Sequence, residues 1–211
     1  MKDYPSIQGP TQAPRKPCIA FHKYDGSNLR FEWSPKRGWH KFGTRKRLFD
    51  ETDEIFGPAI PIFHQTLADG IIDVIKSNKR WRNNDRVTVF AEFVGPKSFA
   101  GLHDLEPDNP MELVLFDVWL YKYGLIGPRE FSKEFSDLRI PEIVYDGNLN
   151  EEFVAGVRRG DYNLGDGIEE GVVCKGGSGG HRDLWMAKVK TQAYLDKLKE
   201  VFGTGWTQYA E

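Results

Sequence analysis

The sequence is poor in cysteine. Cys18 and Cys174 are the only two in 211 residues, too few for a disulfide framework and without the spacing of paired metal ligands. Both are expected to be reduced, buried side chains. Long apolar runs are missing as well. No stretch approaches the roughly 20 apolar residues a membrane-spanning helix needs, and Met1-Lys2-Asp3-Tyr4-Pro5 lacks the apolar core of a secretion signal. Nor is there an excess of charge: the formal net charge is −2, which argues against a protein that coats nucleic acid nonspecifically. The expectation is a cytoplasmic, monomeric protein with no membrane partner.

Enough is present to build a core. The chain is 39% hydrophobic, with 14 Phe and 6 Trp, so a folded domain is expected over residues 1–211. Residues 1–17 carry Pro5, Pro10, Pro14 and Pro17 with few apolar side chains and read as an extended entry segment. Cys18-Ile19-Ala20-Phe21 leads into Lys23 as a strand. Leu29, Phe31 and Trp33 then alternate with Arg30, Glu32 and Ser34, the pattern of a half-buried strand. Gly38 to Arg45 reads as its hairpin partner, which brings Arg45 back towards Lys23. Ile60, Phe63, Leu67, Ile71, Val74 and Ile75 predict one amphipathic helix over 60–77. Val87 to Val94 alternates as a strand, and Met111 to Tyr121 is apolar on both faces, as a central strand is. Further helices are predicted from Pro128 to about Leu138, from an Asn150 cap to Arg159, and from Tyr194 to Phe202.

Four stretches carry chemistry. Lys23-Tyr24-Asp25-Gly26-Ser27-Asn28 joins a potential amine nucleophile to an acid and to a glycine that admits close backbone approach. Read alone it also fits an exposed Asp-Gly turn. Glu92 sits on the otherwise apolar strand face of Phe90 and Val94, where a carboxylate is costly unless paired or bound to a ligand. In Glu170-Gly171-Val172-Val173-Cys174-Lys175, strand alternation would put Glu170 and Cys174 on one face. Lys188 and Lys190, two apart on a strand, repel unless an anion lies between them. Lys36-Arg37, Lys41 and Arg45-Lys46-Arg47 form one basic cluster, and Lys79-Arg80-Trp81-Arg82 another. Each fits either a solvated face or a nucleic-acid surface. Gly176-Gly177-Ser178-Gly179-Gly180 reads as a flexible hairpin loop, since no helix start or Lys-Ser/Thr follows.

In order and spacing these elements, with Phe116-Asp117, resemble the nucleotidyltransferase domain of ATP-dependent polynucleotide ligases, most closely the phage-type RNA ligases that seal nicks. The resemblance covers about residues 20–190. It implies an α+β fold, an ATP-grasp-like adenylation domain with antiparallel sheets flanked by helices, and no OB domain. It implies ATP and Mg2+ (or Mn2+), and a nucleic acid with a 5′-phosphate, RNA favoured by Asn28 and Arg30. By resemblance, Lys23 is the nucleophile, Lys188 and Lys190 meet the α-phosphate, and Phe116 stacks on adenine. Asp25, Glu92 and Glu170 would hold ribose hydroxyls and the waters of the metal ion. Phe21, His22, Gly26, Asn28, Arg30, Arg45 and Lys175 complete the expected nucleotide contacts, with Asn28, Lys175 and an early arginine (Arg45 or Arg47) on phosphate. The lack of a further domain would leave substrate grip to the basic clusters or to an accessory nucleic-acid-binding protein. A phage-encoded enzyme in host cytoplasm fits the resemblance. Three other readings stay open: a minimal ATP-dependent DNA ligase, a GTP-using capping guanylyltransferase, and an inactive nucleotide- or RNA-binding module.

Overall fold

The computed structural model describes residues 1–96, 110–164, 169–180 and 183–208. In chain order the strands and helices are β1 (Pro17–Tyr24), β2 (Ser27–Ser34), β3 (Gly38–Thr44), β4 (Leu48–Phe49), α1 (Ala59–Thr66), α2 (Ala68–Ser77), β5 (Val87–Val94), β6 (Glu112–Leu120), β7 (Gly124–Ile126), α3 (Pro128–Glu134), β8 (Ile143–Asn148), α4 (Glu151–Arg159), β9 (Glu169–Gly176), β10 (Gly179–Gly180), β11 (Trp185–Lys190) and α5 (Gln192–Phe202). They form a four-stranded sheet, β11-β9-β1-β8, and a seven-stranded sheet, β10-β7-β6-β5-β2-β3-β4. Neighbours in both are antiparallel. The chain crosses from one sheet to the other at the turn between β1 and β2, so Lys23 ends a strand of the small sheet and Asn28 begins one of the large sheet.

Two cores explain why β1 carries so few polar residues. Ile19 and Phe21 join the main core with the large sheet and helices α1 to α3. Cys18 and Ala20 point the other way, into a second core closed by Phe153, Val154 and Val157 of α4. A strand covered on both faces needs apolar residues at every position. Cys18 and Cys174 are free and buried in this second core. Asn150 caps α4, its side chain accepting from the Phe153 N–H at 2.8 Å, as predicted.

Several elements differ from the sequence reading. The single helix over 60–77 is two, because Leu67 leaves helical geometry at φ −126°. Helical spacing survives the break since both pieces pack on the same core. Helix α3 stops at Glu134, short of Leu138. Strand β2 is more than half-buried: Arg30 and Glu32, on its expected polar face, are 8% and 3% exposed. Glu32 is paired with Lys41 at 3.0 Å. The glycine loop after β9 is partly a strand, with Gly179 and Gly180 pairing to β7. No described helix is long and apolar enough to cross a membrane.

Candidate active site

Lys23, Asp25, Asn28, Glu92, Phe116, Glu170, Lys188 and Lys190 converge on one cavity of 1080 Å³, together with Phe21, His22, Gly26, Arg45 and Lys175. The volume is at the upper end of what small-molecule sites enclose. Both sheets contribute: Lys23, Glu170 and the β11 lysines from the small one, Glu92 and Phe116 from the large one.

Glu170 is the hinge of the charge arrangement. It is 4% exposed, and its carboxylate bridges two amines, Oε1 contacting Lys23 Nζ and Oε2 lying 2.9 Å from Lys190 Nζ. Simple alternation would have turned Glu170 to the side of Cys174, but Cys174 faces the second core and Glu170 faces the cavity. The reason is an irregularity: the pairing of β1 with β9 shifts register between Lys23 and Tyr24, where Glu169 and Gly171 are paired and Glu170 is left over. Gly171 permits this with φ +148°. A Cβ there would meet Lys190 Cα at 2.8 Å and collide with the Val189 carbonyl. Gly171→Ala is therefore expected to destabilise the fold by about 2–4 kcal/mol, read as a lowered urea midpoint. An unchanged midpoint would mean that β9 can relax away from β11. Gly26 is needed for a similar reason, since its Cβ would run into the Phe93 carbonyl and lie 3.0 Å from Glu92 Cγ.

Burial dominates the electrostatics. It lowers Lys23 to about 8, helped by Lys190 and Lys188 and opposed by Glu92 and Asp25. It lowers Lys190 to about 8 as well, with Asp25 opposing. Burial raises Glu92 to about 7; Lys23, a bond from the Gly26 N–H and Arg45 limit the rise, while Asp25 adds to it. Lys190 is itself buried, 9% exposed, rather than on an open strand face. An amine that is neutral in a useful fraction near neutral pH is what a lysine nucleophile requires.

The far end of the cavity holds a network that sequence patterning did not reveal. Lys175 donates to Asp117 Oδ2 and to the Phe116 carbonyl oxygen, both at 2.7 Å. The Tyr4 hydroxyl donates to the same Asp117 oxygen, and its ring meets Phe116 edge-on with centroids 5.1 Å apart. Lys175 was expected on phosphate. Here it lines the cavity and is the counter-ion of a carboxylate that is 2% exposed and would be costly without it. Tyr4 and Asp117 are separated by 113 residues, so no local pattern could have joined them.

Three further expectations change. Arg30 does not line the cavity; its guanidinium contacts the Asp3 carboxylate and donates to the Lys2 carbonyl at 3.1 Å, tying down the N-terminal segment. That segment is more than an entry: Tyr4, Gln8 and Gln12 line the cavity, and the Lys188 N–H donates to the Gln8 carbonyl at 2.9 Å. Arg45 and Arg47 both reach the cavity, but Arg47 is engaged by Asp53. In the second basic cluster Trp81 is wholly buried and stacks on Phe135, while Arg80 pairs with Glu130 at 2.8 Å. Trp81 is core.

Solved structures share this fold. A putative ATP-dependent DNA ligase from Aquifex aeolicus matches with a TM-score of 0.68 at 17% identity, over 99% of this chain and 57% of its own. The Naegleria gruberi RNA ligase with PPi matches with a TM-score of 0.63 at 17% identity, over 95% and 58%. A mutant of that enzyme with AMP and Mn gives 0.63 at 16% identity, over 93% and 58%. The chain thus spans somewhat more than half the length of these structures. No curated protein matches the sequence. The RNA ligase family model matches residues 16–190, and with the cavity and its lysines in place the chain belongs to the RNA ligase family.

Proposed function

We propose that the chain catalyses ATP-dependent ligation of RNA, through a lysine–adenylate and an adenylylated 5′-end. The observation that carries this reading is Glu170 bridging Lys23 and Lys190 inside a nucleotide-sized cavity. In the first step the Lys23 Nζ lone pair forms a bond to the α-phosphorus of ATP. The bond from that phosphorus to the bridging oxygen breaks, pyrophosphate leaves with the electron pair, and the amine gives up its proton. Lys190 and Lys188 stand where cations can neutralise charge developing on the α-phosphate, so positioning and electrostatics supply most of the acceleration. The AMP then passes to the 5′-phosphate of an RNA strand, and a 3′-hydroxyl displaces it. Arg45 is the favoured early arginine for phosphate, because Arg47 is already paired. Phe116, braced by Tyr4 and Lys175, is the floor for adenine.

A divalent ion fits if it keeps its water. No three described His, Cys, Asp or Glu side chains form a metal cluster, yet Asp25, Glu92 and Glu170 all face the cavity. Mg2+ binds through retained waters with few direct carboxylates, and there it would draw charge from the phosphates. The free cysteines fit a reducing cytoplasmic setting.

The test is the intact mass of the purified chain with Mg2+ and either ATP or GTP. The expected result is a gain of one AMP from ATP alone, followed by sealing of nicked RNA. A GMP adduct would convert the reading to capping chemistry. A DNA-only sealing activity would favour the second reading, a minimal DNA ligase, which the Aquifex match supports. No adduct with either nucleotide would point to a binding module.

A further inference from the structure

Tyr194 lies outside every motif considered above, four residues beyond Lys190 and in the first turn of α5. Its hydroxyl nevertheless donates to Asp25 Oδ1 at 3.1 Å, across 169 residues of sequence. Its ring also faces Lys190, whose Nζ lies 5.0 Å from the ring centroid, within reach of a cation–π attraction. The turn that carries Tyr194 is pinned to the site. Thr191 is fully buried; its Oγ1 accepts from the Tyr194 N–H at 3.2 Å, and its N–H donates to the Glu170 carbonyl oxygen at 3.1 Å. The remainder of α5 is lightly held, with Leu198 as its buried residue. A phenylalanine would serve a ring that only docks the helix. The hydroxyl adds a directed bond to a carboxylate that is 5% exposed.

We propose that Tyr194 is a positioning residue of the nucleotide site, its hydroxyl fixing the Asp25 carboxylate and its ring face fixing the Lys190 ammonium. The inference rests on the adenylylation reading above, in which Asp25 serves a ribose hydroxyl or a metal-bound water and Lys190 the α-phosphate. An aspartate has two rotatable side-chain bonds, and one hydrogen bond to Oδ1 selects among their settings before the nucleotide arrives. Burial, then the nearby Asp25 charge, pushes the Tyr194 phenol well up, so it acts as a neutral donor at any working pH. One helical turn thereby orients an acid and a cation together, and couples both to the main chain of Glu170.

The experiment is a double-mutant cycle on the rate of AMP attachment, measured by intact mass over a range of ATP and Mg2+ concentrations. Tyr194→Phe is expected to lower kcat/KM about 10-fold, the usual scale for a residue that orients a ligand-binding group. In an Asp25→Ala background the same change should cost less than about twofold, because the hydroxyl then has no side-chain oxygen at position 25 to place. A purely structural role, docking α5, predicts an equal loss in both backgrounds and a parallel fall in melting temperature; that outcome overturns the proposal, even if Tyr194→Phe is partly unfolded. An unchanged rate in Tyr194→Phe, with a wild-type chain that takes up AMP, overturns this inference alone. A wild-type chain that takes up no AMP overturns the reading on which it rests.

Discussion

Replacing Lys23 with alanine is expected to abolish AMP attachment, a loss of at least about 10⁴-fold and comparable to deleting the nucleophile of other covalent enzymes. Two features of the site make the effect this large, and a third separates it from a loss of stability. Lys23 is the amine whose pKa burial and two neighbouring cations bring to about 8, so an appreciable fraction is neutral at working pH. Lys188 and Lys190 line the same cavity, but in the proposed mechanism they serve as cations and cannot stand in for the nucleophile without surrendering that role. The carboxylate that contacts Lys23 also contacts Lys190 at 2.9 Å, so the alanine variant leaves Glu170 paired. The loss should therefore appear without a large fall in stability. Lys23→Arg separates the two functions of the side chain: a guanidinium keeps the positive charge but does not deprotonate, so the variant should fold, bind nucleotide and form no adduct. Mass measurement after incubation with ATP decides it, and an AMP adduct persisting in Lys23→Ala would move the nucleophile to another lysine.

Why Lys23 was legible from residues alone, while its surroundings were only partly so, follows from the range of the interactions. The β1–β2 turn is a local object. Apolar residues 18–21, a lysine, Asp-Gly and an alternating strand lie within 20 positions, and the structure keeps them in that order. Lys188 and Lys190 were readable for the same reason, as two positions on one face of β11. Glu170 was found by its motif but oriented wrongly by alternation, because the pairing irregularity at Lys23 and Tyr24 depends on a strand nearly 150 residues away. The Tyr4–Asp117–Lys175 network and the Tyr194–Asp25 bond join residues more than 50 positions apart, and periodicity carries no information at that distance. Arg30 illustrates the converse error. Its strand position was right, but the N-terminal segment engages its guanidinium, an interaction that only tertiary placement reveals.

Lys190→Ala is expected to slow AMP attachment by about 10²–10³-fold, the scale for removing one preorganised charge from a transition state, and to change the shape of the pH profile. The proposed mechanism requires a neutral Lys23 and a charged Lys190. Burial brings both to about 8, so kcat/KM should rise as Lys23 loses its proton and fall as Lys190 loses its own, giving a narrow bell near pH 8. The two apparent values belong to the coupled pair rather than to either amine. In the proposed mechanism ATP brings phosphate beside Lys190, which favours its charged form, so the alkaline limb of kcat should lie at higher pH than that of kcat/KM. Alanine at 190 removes the group responsible for the alkaline limb. It also removes a cation that was lowering Lys23 and leaves Glu170 to Lys23 alone; both changes favour the charged nucleophile, so the acid limb must move up. The variant should thus rise monotonically with pH and reach its plateau later than the wild type reaches its maximum. Because Lys190 is buried and paired, a stability loss of about 1–3 kcal/mol accompanies this, too small to account for the rate. A bell that survives in Lys190→Ala would assign the alkaline limb to another group and leave Lys188 as the cation on which transfer depends.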